Sequence, residues 1–310
     1  MKAVLTDERF SDPGWIFERK LDGIRCLAFK TGEAVRLRSR NDLSLNGRFP
    51  EIVAALEDDP VSGVVLDGEI VAFDGAQTSF ARLQQRGERP TPVFFYVFDI
   101  LRAGGDDVTG RPLLERKALL RRSLGFADPI RLVPHRRRDG EAYFREACSK
   151  GWEGLIAKRA DAPYTHGRSR DWLKFKCSAE QELVVGGYTA PRGSRTDLGA
   201  LLLGYHADGR LRYAGKVGTG FTRATLRELA GRLAPLRRDS SPFADEVRER
   251  TATWVEPRLV AQIGFSEWTR DARLRHPRFL GLRDDKDAAD VVREASGPPE
   301  PGRDPIESYE

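Results

Sequence analysis

A lysine amine can attack an electrophile once it has shed a proton, which an arginine guanidinium does not do in proteins. The 52 basic residues of this chain divide into 10 lysines and 42 arginines. Five of the lysines, Lys20, Lys158, Lys174, Lys176 and Lys286, fall inside short charged motifs. The first motif is Glu18-Arg19-Lys20-Leu21-Asp22-Gly23-Ile24-Arg25. A tight turn at Asp22-Gly23 would bring Arg25 back towards Lys20, and a neighbouring cation depresses a lysine pKa. The same run also reads as a β-hairpin with solvated charges.

Carboxylates interrupt the next apolar runs. In Leu66-Asp67-Gly68-Glu69-Ile70-Val71-Ala72-Phe73, an unpaired buried Glu69 would cost several kcal/mol, so a partner, a ligand or a metal ion is expected beside it. A turn at Asp67-Gly68 that leaves Glu69 at the surface is the alternative. Phe95 to Leu101 is a second apolar strand with one acid, Asp99, and there Phe98 is either core or a platform for a nucleobase. Glu153-Gly154-Leu155-Ile156-Ala157-Lys158 places an acid at the entrance of a strand and a lysine at its end. In Asp171-Trp172-Leu173-Lys174-Phe175-Lys176, alternation points both lysines and Trp172 to one face. Two cations on one face suit a phosphate, or a wet surface.

The elements that must position these groups are short. Strands are predicted at Trp15 to Arg19, Ile24 to Lys30, Ala34 to Arg38, Val64 to Phe73 and Val93 to Leu101. Helices are predicted at Pro50 to Glu57, Pro112 to Ser123 and Glu141 to Lys150. Strands and helices do not alternate regularly, which favours an α+β arrangement over a doubly wound parallel sheet. Beyond residue 180, strands are predicted at Leu183 to Thr189, Leu201 to Tyr205, Leu211 to Lys216 and Leu259 to Trp268, with one helix at Arg223 to Leu233. Short strands with an inserted helix suit a small barrel of the oligonucleotide-binding (OB) type. The expected organisation is one domain over residues 1–180, a barrel over 181–296 and a disordered tail over 297–310, where Gly, Pro and acidic residues dominate.

At 310 residues, two domains of ordinary size are expected. A mean hydropathy of −0.50, and no run near the roughly 20 apolar residues of a membrane helix, set membrane spanning aside. The N-terminal residues lack a basic-then-apolar export pattern. Cys26, Cys148 and Cys177 are few and far apart, so each is expected to be reduced, in keeping with a cytoplasmic protein. The four histidines show no metal-ligand spacing. A net charge of +5 permits a polyanionic partner without requiring one.

Taken in order, the motifs resemble those of the ATP-dependent DNA ligases, within the nucleotidyltransferases that include capping enzymes and RNA ligases. Lys20 to Arg25 matches the signature Lys-x-Asp-Gly-x-Arg. Asp67-Gly68-Glu69, Phe98-Asp99, Glu153-Gly154 with Lys158, Lys174-x-Lys176 and Arg283-Asp284-Asp285-Lys286 match the motifs that follow. Tyr164 to Lys174 and Arg275 to Arg283 resemble the ligase part of bacterial end-joining ligases and their stand-alone relatives. Leu21 and Asp42 depart from that group, which often has an aromatic and a glycine there.

The resemblance implies an α+β nucleotidyltransferase domain followed by an OB barrel, and Lys20 as a nucleophile that forms lysyl-AMP. It places Glu18 and Phe98 by the adenine, Arg40 and Arg168 by ribose or phosphate, and counts Arg25, Lys174, Lys176, Glu69 and Glu153 among the nucleotide-binding groups. Arg25, Lys174 and Lys176, with the metal, would depress the Lys20 pKa. Glu69 and Glu153 resemble ligands of Mg²⁺ or Mn²⁺, directly or through water. Arg283, Asp285 and Lys286 would orient pyrophosphate when the barrel closes about a hinge at Cys177 to Glu182. Lys158 is placed between nucleotide and nick. The implied cofactor is ATP, and the implied partners are nicked double-stranded DNA and an end-joining repair protein, with no membrane and a monomeric chain. An RNA ligase or capping-type nucleotidyltransferase is the rival enzyme. An NAD-dependent ligase is disfavoured, because only 19 residues precede Lys20 and no four-cysteine zinc site exists. A non-catalytic clamp would require the loss of a reacting group.

Overall fold

The computed structural model describes residues 1–84, 86, 90–177, 179–191 and 197–294. The expected tail at 297–310 lies outside them, as does Ser178 within the expected hinge.

Two sheets form the first half. One runs in the order Ala34–Ser39, Ile24–Thr31, Val64–Asp74, Val93–Ala103, Asp106–Asp107, with Gln77–Thr78 and Ile130–Leu132 alongside. The other runs Lys2–Leu5, Arg168–Lys176, Gly154–Arg159, Trp15–Arg19, His135–Arg137. The neighbouring strands pair antiparallel, except that Lys2–Leu5 runs parallel to Arg168–Lys176 and Ile130–Leu132 parallel to Val93–Ala103. Helices Pro50–Asp58 and Leu113–Ser123 flank the first sheet, and Gly140–Ser149 packs on the second.

The first sheet is filled by alternation. In Ile24–Thr31 every other residue is buried, placing Ile24, Cys26 and Ala28 against Phe49, Ile52 and Leu56 of the first helix region. Lys30 follows the same phase and is also buried. Its ammonium donates to the Glu57 carbonyl at 3.0 Å and to those of Leu56 and Asp59, where the end of the helix favours a cation.

Two glycines permit close approaches that shape the site. Gly23 packs against the Ile70 carbonyl so tightly that a Cβ would collide with it. Gly154 has φ +147° and abuts the Phe175 carbonyl, so a side chain there would be both strained and blocked. The strand that starts at Gly154 can therefore lie against Arg168–Lys176, with Glu153 held at its mouth.

The second half is a curled sheet in the order Arg210–Val217, Leu201–Ala207, Ala179–Thr189, Ala252–Val255, Arg237–Arg238. Val260–Phe265 pairs with the other end of Ala179–Thr189 and with Arg278–Leu282. The 11-residue strand Ala179–Thr189 thus serves both arms of the sheet. Helix Arg223–Leu233 starts at Thr222, whose hydroxyl accepts from the Thr225 amide at 3.1 Å, and buries Leu226, Leu229 and Leu233.

One sequence expectation fails here. Cys148 and Cys177 form a disulfide, their Cα atoms 5.2 Å apart, and only the buried Cys26 is free. The 29-residue separation hid the pairing. Cys148 lies near the end of helix Gly140–Ser149, where Gly151 donates back to it, while Cys177 leaves strand Arg168–Lys176 and donates to the Glu153 carbonyl. Tertiary packing brings those two ends together. With the bridge in place, the cysteines no longer argue for a reducing compartment. No helix among the described residues is long and apolar enough to cross a membrane.

Candidate active site

A cavity of about 250 Å³ lies where the two sheets of the first half meet the barrel. Glu18, Lys20, Arg25, Arg40, Glu69, Phe98, Glu153, Arg168, Lys174 and Lys176 line it from the first half. Arg283, Asp285 and Lys286 line it from the barrel. Residues separated by more than 260 positions therefore share one pocket.

Lys20 follows strand Trp15–Arg19, and its amide donates to the Gly154 carbonyl at 2.9 Å. That anchor aims the ammonium at Glu153, with which it forms an ion pair. Burial alone would lower the lysine pKa, but Glu153, with Asp22 and Glu69 behind it, raises it well above the usual value. The protein's own carboxylates thus favour the ammonium, whereas the expected depression counted the metal together with Arg25, Lys174 and Lys176. Arg25 sits on the other sheet and turns away: its Nε and Nη2 hold the two Asp67 oxygens at 2.8 and 2.6 Å. The Tyr164 hydroxyl donates to the same carboxylate at 2.8 Å. Arg25 therefore serves a buried network, with its guanidinium 5.2 Å from the Phe98 ring centre.

Glu69 stands opposite Arg25 in the sheet register. Burial pushes its carboxyl up to about 7, against the pull of Arg25, Lys20, Arg283 and Lys286. Asp22 is likewise raised to about 7 by burial and by Glu153, although Arg283 lies 3.7 Å away. Glu153 Oε2 is buried without a hydrogen-bond partner. Glu153, Asp22 and Glu69 thus set three acids around the Lys20 ammonium.

The opposite wall holds a buried triad. Glu18 pairs with Lys117 at 2.5 Å and with Lys158 at 2.6 Å. Burial pushes the Glu18 carboxyl up, but the two lysines outweigh it and bring it down. Lys158 also lies 4.2 Å over Phe98 and 4.0 Å over Trp172, and burial lowers its pKa to about 8. It is buried at the cavity wall. Phe98 is half-buried with one edge on Trp172, their centroids 5.7 Å apart. Arg40 and Arg168 are exposed at the mouth.

From the barrel, Arg283 grips Asp285 through two contacts of 2.9 Å. It reaches the Gly23 carbonyl at 3.4 Å and stacks 4.1 Å over Phe80. Lys286 pairs with Glu182 at 3.2 Å. The barrel is thus docked on the Lys20 turn. Lys174 and Lys176 meet as alternation predicts, but both hold the Glu294 carboxylate, at 2.5 and 2.8 Å.

Lys117, Asp22, Glu182, Tyr164 and Glu294 were not singled out as site residues from the sequence. For Lys117 a signal existed. Positions 113, 116, 117 and 120 form the buried face of helix Leu113–Ser123, and two of the four are cations. Arg116 answers Asp99 with two contacts of 2.8 and 2.9 Å, and Lys117 answers Glu18.

Residues 2–176 match the family model of the ATP-dependent DNA ligase domain, and residues 194–286 match that of the ATP-dependent DNA ligase C-terminal region. The chain belongs to the ATP-dependent DNA ligases. It is 42% identical over 288 residues to the multifunctional non-homologous end joining DNA repair protein LigD of Mycobacterium tuberculosis, covering 90% of this chain and 37% of that protein. It is 38% identical over 297 residues to its counterpart in Pseudomonas aeruginosa, covering 92% of this chain and 35% of that protein. The ligase chain therefore spans little more than a third of these curated relatives. A solved mycobacterial DNA ligase D complexed with ATP and MES superimposes with a TM-score of 0.67 at 36% identity, covering 94% of this chain and 98% of that one. The expected α+β nucleotidyltransferase domain and OB barrel are the fold of this ligase.

Proposed function

We propose that this chain is a DNA ligase module that joins a 3′-hydroxyl to a 5′-phosphate at a nick through lysyl-AMP on Lys20, in bacterial end joining. The convergence of Lys20, Phe98, the Lys174–Lys176 pair and the barrel's Arg283 to Lys286 on one cavity carries this reading. The Lys20 amine attacks the α-phosphorus of ATP, a P–N bond forms, the bond to the β-phosphate breaks, and pyrophosphate leaves with the amine proton lost. An oxygen of the 5′-phosphate then displaces Lys20 from AMP. The 3′-hydroxyl finally attacks that 5′-phosphate and releases AMP. Each step is an in-line displacement, so alignment and neutralised charge supply most of the rate.

In this reading Phe98 stacks on adenine, and Glu18, fixed by Lys117 and Lys158, lies at its edge. Arg40 and Arg168 take ribose or phosphate oxygens, with Arg25 holding the adjoining wall through Asp67. Lys174 and Lys176 face the phosphates, and Arg283, Asp285 and Lys286 orient the leaving pyrophosphate from the closed barrel. The boundary near residue 180 and the hinge about Cys177 to Glu182 belong to the same proposal. They rest on the strand Ala179–Thr189 beginning where Arg168–Lys176 ends.

Mg²⁺ or Mn²⁺ fits the donors present. Glu153 offers a buried carboxylate oxygen with no partner and Glu69 a carboxylate destabilised by burial, the hard oxygen ligands such ions take beside substrate phosphates. A divalent cation held there would offset the charge of Glu153 that keeps Lys20 protonated, and that of the phosphates. Among the described residues no three His, Cys, Asp or Glu side chains converge to form a complete protein cage.

The test is incubation with α-labelled ATP or GTP, followed by a nicked DNA duplex or a nicked RNA strand. Label retained from ATP and passed to DNA supports the reading. Label from GTP, or transfer to RNA alone, favours the capping or RNA-ligase alternative.

A further inference from the structure

The pair of cations best placed to receive phosphate already holds an anion of the chain's own. Glu294 bridges Lys174 at 2.5 Å and Lys176 at 2.8 Å. All three side chains are largely shielded, at 17%, 10% and 17% exposure for Lys174, Lys176 and Glu294. The acid is aimed there by the barrel. The Glu294 amide donates to Gln181 Oε1 at 3.0 Å, and Gln181 Nε2 donates to the Val292 carbonyl at 2.9 Å. Val292 in turn bridges to His206 of the barrel sheet. The segment after the last barrel strand is thus strapped to strand Ala179–Thr189, and its carboxylate projects into the cavity. The groups facing Glu294 are Lys174, Lys176 and, from the barrel strand, Glu182. Burial pushes its carboxyl up, but the two lysines outweigh burial and bring it down to about 2. The acid is therefore a full anion throughout the neutral range.

We propose that Glu294 is an internal stand-in for a nucleotide phosphate, which occupies the Lys174–Lys176 pair and must be displaced by the triphosphate of ATP. This rests on the ligase reading above. Both anions are oxygen acceptors for the same ammonium groups, and a carboxylate and a phosphate crowded onto one cation pair repel each other. Glu294 thus satisfies two largely shielded cations, which unpaired would carry a desolvation cost. The same contact ties the barrel to the first half. Displacement by ATP transfers the cations to the phosphates and frees the strap, so nucleotide entry and release of this tie are one event. Glu294 then acts on how much ATP is needed, and not on the displacement at phosphorus.

The experiment is lysyl-AMP formation across a range of ATP concentrations for wild type, Glu294→Gln and Glu294→Asp. Glu294→Gln should lower the apparent KM for ATP about three- to tenfold, with the maximal rate changed by less than about twofold. Glu294→Asp, which keeps the charge, should return KM towards the wild-type value. A structural role alone would lower the maximal rate or the melting temperature and leave this split absent. An unchanged or raised KM in Glu294→Gln overturns the proposal. A second measurement uses only the wild-type chain: hydrogen exchange of residues 291–294 should accelerate when a non-reacting ATP analogue binds, and equal or slower exchange overturns it too. If wild type forms no lysyl-AMP at any ATP concentration, the ligase reading fails instead.

Discussion

The two halves of this chain solve the problem of burial in opposite ways. The barrel encloses an apolar cluster of Leu, Val, Ile and aromatic residues. Among its described residues the buried charges are Arg283 and Asp285, both facing the cavity. The first half buries Glu18, Lys30, Asp67, Asp99, Arg116, Lys117 and Lys158. Most of these meet an opposite charge: Arg116 with Asp99, Arg25 with Asp67, Lys117 and Lys158 with Glu18. Two apolar elements can be packed against each other without regard to direction, whereas charges must be aimed. The first half therefore carries its precision in ion pairs. The barrel keeps its interior apolar and places charges at the cavity, on Glu182, Arg283, Asp285, Lys286 and Glu294.

The largest expected effect separates reacting from aimed charge. Lys20→Arg keeps a cation beside Glu153 but cannot form a stable phosphoramidate, so lysyl-AMP should vanish entirely while circular dichroism shows an intact fold. Any covalent AMP on that variant would remove Lys20 from its role.

Next comes the contrast between buried and surface charge. Phosphate contacts release counterions, so about 5 such contacts should cost on the order of a hundredfold or more in nick affinity between 50 and 200 mM salt. Lysyl-AMP formation in the shielded cavity should change far less. A nick affinity flat across that range would mean that shape, not charge, carries binding.

The comparison itself can be broken by deletion on each side. Lys117→Met strands the buried Glu18 with one partner and should cost about 3 kcal/mol in denaturant unfolding of the first half. Leu203→Ala, in the apolar core of the barrel, should cost about 2–5 kcal/mol by leaving a cavity. The two differ in rescue. Glu18→Gln alone strands both Lys117 and Lys158, and adding Lys117→Met to it should recover part of that loss, because one of the two stranded cations is gone. An additive double variant would deny that the triad is a charge network.

The smallest effect is on stability against pH. The Glu69 carboxyl rises to about 7 in the fold, so the folded chain is favoured while the group is protonated. That advantage is full below the ordinary carboxylate range and is lost as pH rises through about 7. Glu69→Gln should therefore raise Tm by a few degrees at pH 8, leave it unchanged at pH 4, and still abolish metal-dependent adenylation. A lower Tm at pH 8 would mean that Glu69 is a structural acid.

How much of this could be read from the sequence follows the same division. A continuous apolar run located the strand Val64–Asp74, and apolar residues at helical spacing the helix Arg223–Leu233, to within a residue or so. The motifs supplied the residues that line the cavity. Which partner each charge takes was not legible. Arg25 looked like a neighbour of Lys20 along the chain, yet the sheet hands it to Asp67, 42 residues on. The Cys148–Cys177 bridge and the Glu294 contact likewise join segments that no period relates. Lys117 is the exception, since two adjacent cations on the buried face of a helix announce that acids await them.

The central claim is that the barrel's charged loop completes the pocket for adenylation alone. The direct measurement is single-turnover kinetics of Asp285→Ala in two reactions, lysyl-AMP formation from ATP and sealing of a nick already carrying AMP. Arg283 loses its carboxylate partner in this variant, so its grip on the Lys20 turn and on pyrophosphate should slacken. Adenylation should fall by about a hundredfold or more, the scale of a lost transition-state contact, while sealing of the pre-adenylated nick stays within about twofold of wild type. An equal loss in both reactions would contradict the account.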